Sequence, residues 1–347
     1  MKQIVYIASI LASVLLVNCG PKMTESGSHS GENVALTDVD PMPFAESISP
    51  EELKEMLYVY ASDEFEGRET GEKGQKLAVE FLREFYKENK IAPAENTEDY
   101  FQKLRLNLPG KVDWVESENV AAIIKGSDKP NEFIVISAHL DHIGKRGEDI
   151  YNGADDDGSG SMALLEIAQA FKIAVKDGFR PKRSIVFLHV TGEEKGLLGS
   201  QYYVENPLYP LEQTIVNLNV DMIGRVDPQR ELKNTDYIYL IGSDRLSTQL
   251  HEVSEQINSE TVNLDLDYKF NDPEHPERFY ERSDHYNFAK KNIPVIFYFS
   301  GTHEDYHGTG DTADKILYDI YTTRTKLIFH TAWEIANMDE RIEVDQN

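Results

Sequence analysis

The residues able to do chemistry in this chain cluster just beyond its apolar runs. Residues 133–137 lead into Ala138-His139-Leu140-Asp141-His142, and residues 184–189 into Val190-Thr191-Gly192-Glu193-Glu194. Asp221 closes the run Leu218-Asn219-Val220, and Tyr306-His307 brings a second imidazole. Three adjacent carboxylates lie in Gly153-Ala154-Asp155-Asp156-Asp157-Gly158-Ser159-Gly160. Adjacent carboxylates repel unless something cationic sits among them. Standing alone, the acidic triple would read as a loop capping a helix through Asp157 or Ser159; imidazoles and further carboxylates turn the reading towards a metal site. Asp141, two residues after His139, can hold the far nitrogen of its ring, which fixes the tautomer of a ligating histidine. His142 reads as a surface neighbour. Of Glu193 and Glu194, one can bind metal while the other handles protons. Two histidines and three carboxylates are enough for two zinc ions that share a carboxylate and a water. Cobalt or manganese would also suit such nitrogen and oxygen donors.

A sheet is expected to position these groups. Apolar runs at residues 119–124, 133–137, 184–189, 214–221, 237–241 and 293–299 read as strands, several of them buried on both faces. Helices are expected at residues 159–173, 197–205, 246–258 and 314–338. Two more precede the sheet, at residues 74–89 and at 50–60, where Ser49-Pro50-Glu51-Glu52 combines a cap serine with a proline at the first helical position. The alternation predicts an α/β fold, a single domain with a mainly parallel mixed central sheet flanked by helices. In open sheets of this kind ligands bind beyond the carboxyl ends of the strands, which is where the imidazoles and carboxylates fall. His189, on a buried strand, reads as a satisfied core residue, and His251, His275 and His303 as exposed or structural. Phe279, Tyr280, Tyr286 and Phe288, around Ser283-Asp284-His285, could line an apolar pocket or belong to the core.

In order along the chain, AHLDH, GADDDGSG, GEEKGLLGS, NVDMIG, the SDH of residues 283–285 and DYHGTGDT resemble the co-catalytic di-zinc aminopeptidase family. That family includes bacterial leucyl aminopeptidases and aminopeptidase Y, with glutamate carboxypeptidase and glutaminyl cyclase as relatives. The resemblance covers about residues 117–335 and implies a fold of that zinc-peptidase type. It implies that His139 and Asp221 bind one zinc, that Glu194 and His307 bind the other, and that Asp156 bridges them. Glu193 becomes the general base, Asp141 the acidic partner of the first histidine, and Tyr306 a residue near the tetrahedral intermediate. Asp284 takes a substrate or supporting role at the rim. The implied reaction removes the N-terminal residue of peptides through a metal-activated water. Glutaminyl-peptide cyclisation, carboxypeptidase action and a non-catalytic surface binding protein on the same scaffold are the alternatives. No arginine cluster marks a site for a C-terminal carboxylate, and every ligand position is filled.

With 347 residues, the part beyond a targeting segment fits one large domain. Met1-Lys2 precedes an uncharged apolar run over residues 4–17 that ends at Asn18-Cys19-Gly20, read as a signal peptide (residues 1–18) that resembles those whose cysteine carries a lipid. Residues 19–45, rich in Ser, Gly, Pro and acids, are expected to be a flexible tether, and residues 46–347 the peptidase domain. Export is expected, with anchoring at the cell envelope, on its periplasmic or outer surface, and membrane contact only through that lipid. Cys19 is the one cysteine, which excludes an internal disulfide. A formal net charge of −26 repels phosphate and argues against nucleic acid or an anionic membrane surface as partner. Peptides remain the expected partner class.

Overall fold

Ser49 caps a helix as its place before Pro50 suggests, its hydroxyl oxygen accepting the Glu52 amide at 3.1 Å. The structure is a computed structural model that describes residues 39–346 apart from residues 109, 231 and 232. The signal peptide, Cys19 and most of the tether therefore lie outside the described residues. The helix capped by Ser49 is α2 (Pro50–Tyr60), preceded by α1 (Met42–Ala45) and followed by α3 (Lys73–Glu88). The first of these corrects the expected tether boundary. Phe44 is buried against Phe179 and Trp333, with ring centroids 5.7 and 5.6 Å away, so the short Met42-Pro43-Phe44-Ala45 segment is held by packing despite its polar surroundings in sequence.

The sheet begins with β1 (Ala92–Pro93), β2 (Phe101–Leu106), β3 (Val115–Ile124) and β4 (Lys129–His139). A small hairpin of β5 (Gly144–Arg146) and β6 (Asp149–Tyr151) follows, then α4 (Gly160–Lys176), β7 (Arg183–Val190), α5 (Leu198–Glu205) and β8 (Thr214–Val220). The chain continues through β9 (Tyr237–Ile241), α6 (Thr248–Glu260), β10 (Asp265–Asp267), α7 (His285–Ala289), β11 (Val295–Phe299) and α8 (Tyr318–Asn337). The strands lie in the order β1-β3-β7-β4-β8-β11-β9-β10, with β2 also on β3. Pairing is parallel through β7-β4-β8-β11 and between β9 and β10. It is antiparallel where β3 meets β1, β2 and β7 and where β9 meets β11. The expected α/β architecture with a mixed sheet is present; the antiparallel share is larger than expected because β2, whose alternate residues are exposed, gives no continuous apolar run, and because β3 runs against β7 and β9 against β11.

Both faces of the centre are buried. Ile134 and Ile136 of β4 join a core with Leu82 of α3, Phe171 of α4 and Phe329 of α8. Phe133 and Val135 point the other way, towards Tyr203 of α5 and Phe288 of α7. No helix among the described residues is long and apolar enough to cross a membrane.

Register brings the chemistry to one edge. Ser137 lies opposite Asn219 and His139 opposite Val190, so His139 stands level with Asp221, while Glu193 and Glu194 follow directly beyond β7. All three strands run parallel, so their carboxyl ends share that edge.

One buried acid lies away from it. Glu166 of α4 is 2 % exposed, its Oε2 accepts the Ser49 amide at 3.3 Å, and its Oε1 has no hydrogen-bond partner among the described residues. Burial, then repulsion from Glu52, pushes its pKa up to about 8. The folded chain thus holds a proton that the unfolded chain releases near its ordinary value of 4.5, and stability from this group should be full below that pH and be lost as pH rises through 8. Glu166→Gln is expected to flatten the slope and to exceed wild type above pH 8 by on the order of 3 kcal/mol. Urea unfolding across pH checks it; identical slopes would contradict it.

Candidate metal centre

His139 ends β4 with its ring fixed by its own turn: Nδ1 lies 3.0 Å from the Asp141 backbone carbonyl. The Asp141 carboxylate is further away, at 4.0 Å. It is spent elsewhere, accepting from Thr70 Oγ1 at 2.7 Å and from the Glu193 amide at 3.1 Å. The expected carboxylate support of the imidazole is therefore corrected: the carbonyl orients the ring, and the carboxylate ties the Glu193 loop to β4. The free Nε2 of His139 faces Asp156 Oδ1 at 3.1 Å and Asp221 Oδ1 at 3.6 Å. On the other side of Asp156, Oδ2 lies 3.2 Å from His307 Nε2, which is 3.4 Å from Glu194 Oε2. His139, Asp156, Glu194, Asp221 and His307 thus converge, with Asp156 between the two pairs.

The acidic triple divides its work by direction. Asp155 Oδ1, Asp157 Oδ1 and Ser159 Oγ accept the amides of Gly224, Met222 and Ile223, at 2.7, 3.2 and 3.0 Å. Three successive donors beyond β8 are satisfied in this way, and Asp156 is left facing the cage. Asp157 also accepts from the amides of His139 and Gly160 at 3.0 and 2.9 Å. Although it lies close enough to His139 and Asp221 to share a cation, its oxygens are committed to backbone, so its role is positioning. Asp311 accepts the amides of Asp155 and Asp156, both at 3.0 Å, and ties the loop carrying His307 to the triple.

Several supporting residues carry no sequence signal. Buried Arg68 donates to the carbonyls of Leu140, Asn152 and Gly153 at 3.1, 2.6 and 2.7 Å, clamping the His139 turn to the approach to the triple. Buried Arg324 of α8 donates to those of Ile223 and Arg225 at 2.8 and 2.6 Å. Ser283 Oγ donates to Asp221 Oδ2 at 2.6 Å and is itself held by Asn219 at 2.8 Å. Next to it, Asp284 is fully buried, accepts from Ser200 Oγ, and does not line the cavity. The expected rim position is corrected: Asp284 lies beneath the site, out of a substrate's reach. His142, read as a surface neighbour, is instead fully buried, with Nδ1 2.9 Å from Glu194 Oε1. His189 is the satisfied core residue expected, between Tyr86 Oη at 2.7 Å and Ser161 Oγ at 3.2 Å.

Charge in the cage is out of balance. Asp141, Asp156, Asp157, Glu193, Glu194, Asp221 and Asp284 surround three imidazoles. Burial, then repulsion from Asp284, Asp221 and Glu194, holds the Glu193 carboxyl well above its usual range. Burial and the charges of Asp221 and Asp141 push Asp284 up to about 7. Burial opposes charge on His139, yet Asp221, Glu193 and Asp156 together raise its pKa well above the ordinary value. Such a surplus of buried negative charge calls for cations. Asp156 Oδ2, Glu194 Oε1 and His142 Nδ1 are buried without hydrogen-bond partners, as ligand atoms would be. The donors, imidazole and carboxylate, are those zinc takes.

The cage opens into a cavity of about 310 Å³ lined by His139, Asp156, Glu193, Glu194, Asp221, Tyr306 and His307 together with Met222, Phe279, Phe297 and Phe299. Of the four aromatics near the SDH triplet, Phe279 alone reaches it; Phe288 is core. Tyr306 stacks on His307 with centroids 3.9 Å apart, and burial, then the charges of Asp156 and Asp221, keeps its hydroxyl protonated. Arg282 is the one arginine on the wall, ion-paired with Glu277 at 3.2 Å.

A family model described as Peptidase family M28 matches residues 119–332. Leucine aminopeptidase 2 of Trichophyton equinum is 28 % identical over 242 residues, which is 63 % of this chain and 44 % of that protein; the chain thus spans under half the length of this curated relative. Among solved structures, the LapA aminopeptidase of Legionella pneumophila superposes with a TM-score of 0.67 at 20 % identity, covering 93 % of this chain and 81 % of the other. Glutaminyl cyclase of Porphyromonas gingivalis gives 0.65 at 16 % identity, over 82 % of this chain and 97 % of the other. At those identities the likeness is one of fold.

Proposed function

The chain belongs to Peptidase family M28, and from that premise we propose that it removes single residues from the N-terminus of peptides with two zinc ions. The observation that carries this reading is Asp156, whose two oxygens face two separate sets of donors, His139 with Asp221 and His307 with Glu194. His139, Asp221 and Asp156 would hold one ion, and Glu194, His307 and Asp156 the other. Bound there, the ions would polarise the scissile carbonyl and lower the pKa of a shared water towards about 7. Glu193, whose burial and acidic neighbours raise its affinity for a proton, takes the proton of the attacking water and passes it to the leaving amine. The protonated hydroxyl of Tyr306 donates to the oxygen that gains charge as the carbonyl becomes tetrahedral. The surplus carboxylates attract a free α-ammonium, and the small cavity, walled by Phe279, Phe297, Phe299 and Met222, accepts one apolar side chain. Residues 1–18 and Cys19 support an exported, lipid-anchored protein meeting peptides at the cell envelope.

A panel of aminoacyl chromogenic substrates and dipeptides tests the reaction. Amino acid release should vanish with chelator and return when zinc is restored. Release of ammonia from glutaminyl peptides without any amino acid would favour a cyclase and overturn the peptidase reading.

A further inference from the structure

We propose that His142 is itself a metal ligand, through Nδ1, at the position shared by Asp156, Glu194 and His307. This rests on the zinc reading above and adds a donor beyond the five that the sequence motifs supply. The His142 ring is fully buried, and neither of its nitrogens has a hydrogen-bond partner. Its Nδ1 lies 2.9 Å from Glu194 Oε1 and 3.7 Å from Asp156 Oδ2, two oxygens that are themselves buried and unpartnered. A nitrogen and a carboxylate oxygen that close would ordinarily share a hydrogen bond; placed without its geometry, both lie, with an oxygen of Asp156, near enough to one another to hold a single ion. Leaving three such atoms buried and bare is costly, and a cation satisfies all three at once.

The ring is placed there by the fold. The His142 amide donates to the Arg68 carbonyl at 3.3 Å. Gly153, with φ of +55°, makes room for it, since a Cβ at that position would come within 2.5 Å of the imidazole. That is a cradle shaped for a flat ring.

The two metal positions are then unequal. One has a single imidazole, from His139; the other has two, from His142 and His307, with Glu194. Imidazole suits zinc, whereas carboxylate donors suit manganese and magnesium. The two-imidazole position therefore holds zinc more tightly, fills first and discriminates more sharply against manganese.

The test is a titration of chelator-stripped protein with zinc in competition with a chromophoric chelator. Wild type should show two affinities separated by about tenfold or more, and His142→Asn should weaken the tighter one by about 10- to 100-fold while sparing the other. Equal affinities in variant and wild type would overturn the assignment and leave the metallopeptidase reading intact. Because a buried substitution can perturb folding, wild-type protein labelled with ¹⁵N-histidine supplies a second readout. Zinc should shift Nδ1 of His142 and Nε2 of His139 and His307. A His142 Nδ1 signal that stays put while the others move overturns the proposal; zinc binding nowhere overturns both readings.

Discussion

Replacing Glu193 by Gln should cut turnover by a factor of about 10³ to 10⁴ while leaving zinc content at the wild-type level. The carboxamide keeps the shape of the side chain and cannot accept a proton. In the structure Glu193 lines the cavity and makes no side-chain hydrogen bond among the described residues, so it can turn towards a substrate's water. Its backbone is fixed by the Asp141 carboxylate at 3.1 Å, and this anchor survives the substitution. A loss of that size corresponds to about 4 to 5.5 kcal/mol of transition-state stabilisation, more than a rim contact could supply. Steady-state kinetics on an aminoacyl substrate, with zinc measured by mass spectrometry on the same sample, decides the matter. Rates near wild type would remove Glu193 from the mechanism; loss of zinc would make it a ligand.

Asp156→Asn should produce the opposite pattern, in which zinc is lost and activity goes with it. One of the two oxygens that face separate donor sets becomes a nitrogen with two hydrogens, unable to coordinate, and a formal negative charge leaves the place where it matters most. His139, His142 and His307 outweigh burial and hold the Asp156 carboxyl well below its usual range, so it is the committed anion of the cage. Occupancy after dialysis is expected to fall from about two ions per chain to one or fewer, with activity down by about 10³-fold or more. Full occupancy would show that the carboxylate does not link the two positions. The structural risk is small, because the amide of Asp156 remains bonded to Asp311 at 3.0 Å.

Much of this could be read from residue order. Parallel strands ending in acids and imidazoles are visible as apolar runs closed by polar residues, and that pattern alone located His139, Glu193, Glu194 and Asp221 at one edge. Division of labour within a motif is less visible. Asp155, Asp156 and Asp157 are chemically identical neighbours, and only the three amides beyond β8, more than sixty residues on, decide which of them faces the cage. His142 is hidden from the sequence for a similar reason: three residues past a strand end normally means solvent, and its burial depends on Arg68 and Gly153, from two other segments. Asp284 errs in the other direction, since family likeness pointed to a rim and packing against Ser200 put it underneath. Arg68, Thr70 and Arg324 had no signal at all. A cation that serves backbone carbonyls has no partner a sequence pattern could reveal.

The order of the fasteners along the chain also has a meaning in time. Asp311 and Arg324, which lock the loops bearing Asp156 and Asp221, both come after His307. A polypeptide made from its N-terminus therefore carries scattered acids and imidazoles, without a closed pocket, until α8 has been synthesised and has docked.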